Sequence, residues 1–148
     1  MTWLFVLDRC PTRDRLLRWG LQTDPLCLLC NSSPESRDHM FFQCGFAWGI
    51  WESLAPRTGF IPRRSWSQTI SQLQLLRRRS ILGMLTLLCW QSCLYWIWAE
   101  RNGRLHRQNF RSQDVLIRLI DRQIKDKILS FRSSNPSLSS KMMQLWLA

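Results

Sequence analysis

Apolar residues recur at helical spacing through most of the second half of the chain. Ile70 and Leu73, followed by Leu76 or Arg77, form one stripe from Trp66 onward. Residues 81–107 are predicted to form a long second helix. A third helix is predicted over 115–131 because its apolar side chains fall on one face. They are Leu116, Ile117, Ile120, Ile124, Ile128 and Phe131. No alternating run is long enough to indicate a sheet, so the pattern predicts a mainly α protein ending in a helical hairpin or bundle.

The first sixty residues show shorter helical patterns separated by turn residues. Two short helices are predicted, one before and one after Pro11. A further helix begins near Ser36, whose hydroxyl can cap it. Gly45 ends or bends that helix, which resumes over 46–54. Proline and glycine residues near position 60 mark a boundary. We therefore predict a module at 1–60, a basic helical region at 61–131 and a flexible tail at 132–148.

Charge is distributed very unevenly along the 148 residues. The formal net charge is +11, yet the six arginines and six acidic residues of positions 1–60 cancel, so the whole excess lies beyond Gly59. Most basic residues are arginines, which suit bidentate phosphate contacts. We expect any contact with RNA or DNA to involve the second half of the chain. The candidate residues are Arg63, Arg64, Arg77, Arg78, Arg79, Arg101, Arg104, Arg107 and Arg111.

The last four of these arginines recur every three or four residues, which predicts a single helical face. An equally simple interpretation is a solvated face that keeps an apolar protein in solution. Trp66 and Trp98 can be considered as base-stacking residues, but their apolar neighbours favour core packing.

Residues 81–99 contain no charged side chain and are long enough to cross a membrane. Polar residues interrupt the stretch, and arginines flank both of its ends, so a buried central helix is favoured and membrane partners are not expected. At the N-terminus, Asp8 and Arg9 interrupt the apolar run, which disfavours a secretory signal. We expect reduced cysteines and an intracellular location, with the nucleus included.

Three cysteines and one histidine have the spacing of a zinc site. The pattern is Cys27-x2-Cys30-x8-His39-x4-Cys44. A C-x2-C turn supplies two thiolates from one loop, and a second pair completes the tetrahedron that zinc prefers. His39 and Cys44 lie five residues apart on a predicted helix, so Cys44 must swing back at its end, which Gly45 permits. The alternative is a set of ordinary buried cysteines with an unrelated histidine.

Four protein ligands leave no open coordination position, so we predict one structural Zn²⁺ and no catalytic residue. Asp38 is either a partner of the His39 ring or an acid at a helix N-terminus. Cys89 and Cys93 are interpreted as small core residues, and Cys10 has no assigned role.

With these motifs assembled, residues 3–51 resemble the zinc-binding domain found downstream of the reverse transcriptase in plant non-LTR retroelements. The resemblance rests on PTRDRLLRWG, on CLLCNSSPESRDHMFFQC, and on Phe46 and Trp51; a weaker one lies in YWIWAERNGRLH. Gly45 departs from the family, which usually has proline there. No clustered carboxylates for two-metal chemistry are present. The resemblance therefore implies a truncated piece of a retroelement polyprotein without polymerase activity.

Two functions remain open at this point. The chain is either a zinc-stabilised module that assists binding of RNA or DNA through its basic helical half, or a structural module that contacts other segments of a retroelement polyprotein. The charge distribution favours the first function. Exposed apolar surface and self-association would favour the second.

Overall fold

The computed structural model describes residues 1–148 and consists of helices joined by short connections. The helices are α1 (Thr2–Val6), α2 (Arg13–Arg18), a π-helix (His39–Gln43), α3 (Gly45–Leu54), a 3₁₀ helix (Ala55–Thr58), α4 (Trp66–Gln74), α5 (Ile81–His106), α6 (Gln113–Ser130) and α7 (Pro136–Leu147). Extended pairing is limited to one antiparallel bridge between Leu26 and Pro34. The predicted mainly α fold is confirmed.

Helix α5 is the central element of the fold. It packs against α6, α7, α3 and the 3₁₀ helix, and it buries Leu85, Cys89, Leu94 and Ile97 almost completely. By length and composition it is the one helix apolar enough to cross a membrane, and 56% of that apolar stretch is buried within the protein. The helix thus serves as the core helix that the sequence favoured.

Helix α6 presents the predicted apolar stripe to the core. Leu116, Ile120, Ile124 and Ile128 are fully buried, as expected for side chains repeated every four residues. The helix begins where the Ser112 hydroxyl accepts a hydrogen bond from the Val115 amide at 3.3 Å.

The C-terminal segment forms helix α7 and packs on α5 and α6, so the flexible tail predicted for 132–148 is wrong. Asn135 caps the helix, and Met142 and Trp146 are each 1% exposed. The serine-rich stretch indicated disorder, but Leu138, Met142 and Trp146 are spaced by four residues and form an apolar stripe.

Aromatic side chains connect the first sixty residues with the helices that follow. Phe41 packs on Trp66 with ring centroids 5.9 Å apart, Trp66 packs on Trp90 at 6.0 Å, and Phe5 meets Trp98 edge-on at 5.7 Å. Trp66 and Trp98 are therefore core residues, the favoured alternative. One hydrophobic core continues across the boundary predicted at residue 60.

Candidate metal centre and arginine surface

Cys27 and Cys30 lie in a tight turn that is stabilised by backbone hydrogen bonds. The Cys27 amide donates to the Ser33 carbonyl, and the Asn31 amide donates to the Cys27 carbonyl, each at 2.8 Å. Asn31 has a φ of 53°, a left-handed conformation that asparagine tolerates better than most residues. The turn curls both sulfur atoms toward the same point, as a C-x2-C knuckle requires.

His39 and Cys44 come from the two ends of the π-helix. The Ser36 hydroxyl accepts from the His39 amide at 3.1 Å, as predicted for a cap. The Cys44 amide donates to the His39 carbonyl at 2.7 Å, an i to i+5 bond that brings residues five apart onto one side. Cys44 is extended, with φ −63° and ψ 127°, and Gly45 begins α3. The chain therefore turns at Cys44, whereas the sequence assigned the turn to Gly45.

The four predicted ligands converge on one point. Their ligand atoms all lie within 4.8 Å of one another, and Cys30 Sγ is 3.3 Å from His39 Nε2. A tetrahedral zinc ion with ordinary bond lengths places sulfur and nitrogen ligands about 3.5 Å apart. Cys27 and Cys44 are completely buried, and His39 is 9% exposed. The Cys30–His39 distance matches the spacing that zinc imposes, and the other ligand atoms lie close enough to share one ion.

The surroundings favour the zinc-binding forms of Cys44 and His39, whereas Cys27 keeps its proton until a metal displaces it. A hydrogen bond between the two sulfur atoms raises the pKa of Cys27 and lowers the pKa of Cys44. The amides of Ala47 and Phe46, at the N-terminus of α3, also donate to Cys44 and stabilise its thiolate. Burial lowers the pKa of His39, which keeps the imidazole neutral. Neutral imidazole and thiolate are the required ligand states.

The donor set fits zinc in both chemistry and number. Three sulfur atoms and one imidazole nitrogen form a closed four-ligand site, the arrangement of structural zinc. When bound, the ion would hold the knuckle, the π-helix and the start of α3 together. The Asp38 carboxylate accepts a hydrogen bond from Arg37 at 2.8 Å and lies at the start of the π-helix. Asp38 is therefore an acid at a helix N-terminus, not a partner of the His39 ring.

A buried ion pair, which the sequence did not reveal, connects α5 to the zinc loop, the segment 27–44 that carries the four ligands. Glu35 is completely buried and accepts from Arg101 Nη2 at 2.8 Å and from the Arg13 amide at 2.9 Å. Close by, Arg104 Nη1 donates to the Leu29 carbonyl at 3.0 Å. The available signal was the charged pair Glu100 and Arg101, which directly follows the uncharged stretch 81–99 in the same helix.

The arginine set at 101–111 does not form the single exposed helical face that its spacing predicted. Arg101 is 2% exposed, and the Arg104 side chain is 10% exposed. Helix α5 ends at His106, so Arg111 lies in the following connection, where it pairs with the buried Glu100 at 3.3 Å. Arg101 and Arg104 hold the zinc loop on α5 and are removed from the predicted phosphate-binding surface.

The remaining candidate arginines are exposed. They are Arg63, Arg64, Arg77, Arg78, Arg79 and Arg107. Arg64 donates to the Gln43 carbonyl at 2.7 Å and lies over the Trp48 ring, whereas the other five form no ion pair. They lie before α4, between α4 and α5, and at the end of α5.

Comparison with known proteins agrees with the metal centre. Residues 1–51 match the family described as zinc-binding in reverse transcriptase, which confirms the resemblance to such a domain for that part of the chain. The more specific assignment to plant non-LTR retroelements stays a prediction. The match contains all four ligands, and the weaker resemblance at 95–106 lies outside it. No curated protein and no solved structure matches the chain. The first third of the chain is thus similar to a zinc-binding domain of the reverse transcriptase type and carries a matching four-ligand site.

Proposed function

We propose that the protein is a non-catalytic module that binds RNA or DNA through exposed arginines of its second half, with zinc holding its first half together. The observation that carries the proposal is the charge distribution: the zinc-binding region is neutral, and the entire +11 lies beyond Gly59. A polyanion would be attracted to the helical half.

The ion pairs support a division of the arginines into those that hold the fold together and those that are free to bind phosphate. Arg101, Arg104 and Arg111 satisfy buried carboxylates, and so hold the fold together. Arg63, Arg77, Arg78, Arg79 and Arg107 have no carboxylate partner and remain available to phosphate. An unpaired guanidinium can donate to two phosphate oxygens without first breaking a contact within the protein.

The closed coordination sphere of the zinc site supports a non-catalytic role for the metal. We further infer an origin in a retroelement polyprotein, because the matched family is associated with reverse transcriptase. In that context the module would help the polyprotein hold its nucleic acid, while polymerase chemistry would belong to another segment.

Affinity for RNA and DNA across a salt series tests the proposal. In fluorescence anisotropy titrations, the logarithm of the association constant should fall linearly with the logarithm of the salt concentration. A triple variant, R77A/R78A/R79A, should weaken binding and reduce that slope. A matched control is Arg18→Ala, which removes an exposed arginine from the neutral half. Binding that is absent, or that does not respond to salt, would contradict the proposal.

A second candidate, a module that contacts protein, is favoured by exposed apolar side chains near the N-terminus. Trp3 is 67% exposed, Trp19 is 56% exposed and Leu21 is 54% exposed. Apolar side chains of this size are more often covered by a partner when they lie together. Sedimentation velocity over a concentration series tests this candidate, because self-association should decrease in the variant W3S/W19S.

A further inference from the structure

We propose that a cleft between α5 and the connection to α6 binds a base and phosphate of single-stranded nucleic acid, with Tyr95 as the stacking residue. This inference rests on the proposed function and names its substrate class and a binding subsite. The cleft has a volume of about 360 Å³ and lies among the side chains of Tyr95, Trp96, Asn102, Arg107, Asn109 and Arg111. That volume is in the range of small-ligand sites, about 300–1,000 Å³.

Tyr95 offers an aromatic ring to solvent from the central helix. Its side chain is 45% exposed, although it belongs to the central helix α5. The ring meets Trp96 edge-on with centroids 5.4 Å apart, and Trp96 is fixed by a hydrogen bond to Gln123. A ring held by such a neighbour can stack on a base with little loss of side-chain freedom.

Donors for a phosphate or a base edge surround this ring. Arg107 is exposed and has no carboxylate partner. The Asn102 side-chain oxygen accepts from Arg101 at 3.0 Å, which orients the amide so that its NH₂ group is free to donate. Arg111 lies over the Trp96 ring at 5.4 Å while it pairs with Glu100. No acidic side chain lines the cleft.

A second cavity shares Tyr95 with the cleft and extends the possible path of a strand. Its volume is about 530 Å³, and its lining includes Lys127 and Gln91, with one acid, Asp126. By contrast, the cavity beside Arg63, about 570 Å³, is lined by polar side chains alone and offers no ring. Of these three cavities, the Tyr95 cleft is the one that combines aromatic rings with two arginines and has no acidic side chain.

The combination of a stacking ring and unpaired donors indicates a single strand. Bases of a duplex are stacked on one another, so they cannot reach a ring inside a cleft without being extruded. A duplex would instead contact the arginines through its phosphates alone. The cleft thus predicts a preference for unpaired nucleotides over a duplex of equal charge.

The experiment compares three labelled probes with the full-length, zinc-loaded protein. They are an oligo(dT) of about ten nucleotides, an abasic strand of the same length, and the corresponding duplex. We expect the oligo(dT) to bind most tightly. Tyr95→Leu removes the stacking ring but keeps apolar bulk, and should weaken oligo(dT) binding by about five-fold to a hundred-fold. The same substitution should leave the affinity for the abasic strand unchanged, because that strand has no base to stack on the ring.

Arg107→Ala should weaken binding of the oligo(dT) and the abasic strand alike, and reduce the salt slope by about 0.7. Two exposed residues outside the cleft serve as matched controls. Trp19→Leu removes an exposed ring and Arg18→Ala removes an exposed charge, both from the neutral first half of the chain. Both should retain the affinity of the unmodified protein, and circular dichroism should confirm that all four variants are folded.

Two different outcomes would overturn the two proposals separately. If no probe binds with a salt dependence, the proposed function fails, and the cleft assignment fails with it. If probes bind with a salt dependence but Tyr95→Leu binds oligo(dT) like the unmodified protein, the nucleic-acid function stands and the cleft assignment is overturned. Equal affinity for the oligo(dT) and the abasic strand would overturn the cleft assignment in the same way.

Discussion

Arg101 and Glu35 form a two-bond ion pair in the interior of the protein, with Arg101 Nη2 at 2.8 Å and Nε at 3.3 Å from the two carboxylate oxygens. The side chains are 3% and 0% exposed. Glu35 belongs to the zinc loop and Arg101 to the central helix, 66 residues apart in sequence. The pair therefore joins the neutral zinc-binding region to the basic helical region at one buried point.

Removing one partner of this pair should destabilise the protein severely. Arg101→Met leaves the Glu35 carboxylate buried without a counterion, which costs about 3–5 kcal/mol. Urea denaturation followed by circular dichroism measures the loss. The double variant E35Q/R101M should lose less than the sum of the single variants, because no unpaired charge remains.

The matched control for this prediction is an exposed ion pair. Arg18 Nη2 lies 3.0 Å from Asp14 Oδ2, and the Arg18 side chain is 62% exposed. Arg18→Ala should change the free energy of unfolding by no more than about 0.5 kcal/mol. A similar loss for Arg101→Met and Arg18→Ala would contradict the importance of the buried pair.

A second prediction concerns Gly83, near the start of α5. A methyl group there would lie 2.2 Å from the Arg77 carbonyl oxygen and 2.9 Å from Ser80 Oγ. The clash is with backbone, so the chain at 77–80 would have to move. Gly83→Ala should destabilise the protein by about 1–3 kcal/mol, although alanine is intrinsically the better helix former.

Gly103 provides the control, because it lies in the same helix with its nearest neighbour for a methyl group 3.8 Å away. Gly103→Ala should be neutral or stabilise the protein by up to about 1 kcal/mol. Thermal melting of both variants measures the difference. Equal melting temperatures for the two variants would contradict the close approach at Gly83.

Helical periodicity and ligand spacing predicted much of this structure. The apolar stripe from Leu116 to Phe131 predicted α6, and the four zinc ligands were identified from residue type and spacing alone. Glu35 was not identified, because a carboxylate in a polar loop gives no sign of which distant guanidinium it meets. The burial of Arg101 was missed for the same reason. Residue spacing shows which side chains share one face of a helix. Only the packed fold determines whether that face is buried against other elements or exposed to solvent.

A third prediction concerns Asp121, which joins α6 to α7 and to the 3₁₀ helix. Its carboxylate accepts from Trp146 Nε1 at 2.9 Å and from Arg57 at 2.8 Å. Partial burial raises the pKa of Asp121, but hydrogen bonds from Lys125, Trp146 and Arg57 outweigh it, so the net pKa is lowered. A lowered pKa in the folded state means that the ionised carboxylate stabilises the fold.

This contribution is fully present above the unfolded-state pKa of Asp, about 3.9, and is lost as the pH falls through the lower folded-state pKa. Asp121→Asn should therefore be less stable than the unmodified protein near neutral pH, and the difference should shrink in acid. Urea denaturation of both proteins between about pH 3 and pH 7 tests this, and zinc release affects both equally. A difference that does not change with pH would contradict the assignment.

The last prediction concerns the metal itself. One zinc ion per chain should be found by elemental analysis, and His39→Ala or Cys30→Ser should abolish it, because three ligands leave the tetrahedron open. Since the zinc loop is joined to α5 through Glu35, loss of zinc should unfold residues 1–51 and also lower the melting temperature of the helical half. Cys89→Ala, a buried cysteine outside the site, should keep the full zinc content. Melting that is identical with and without a chelator would show that the metal does not support the fold.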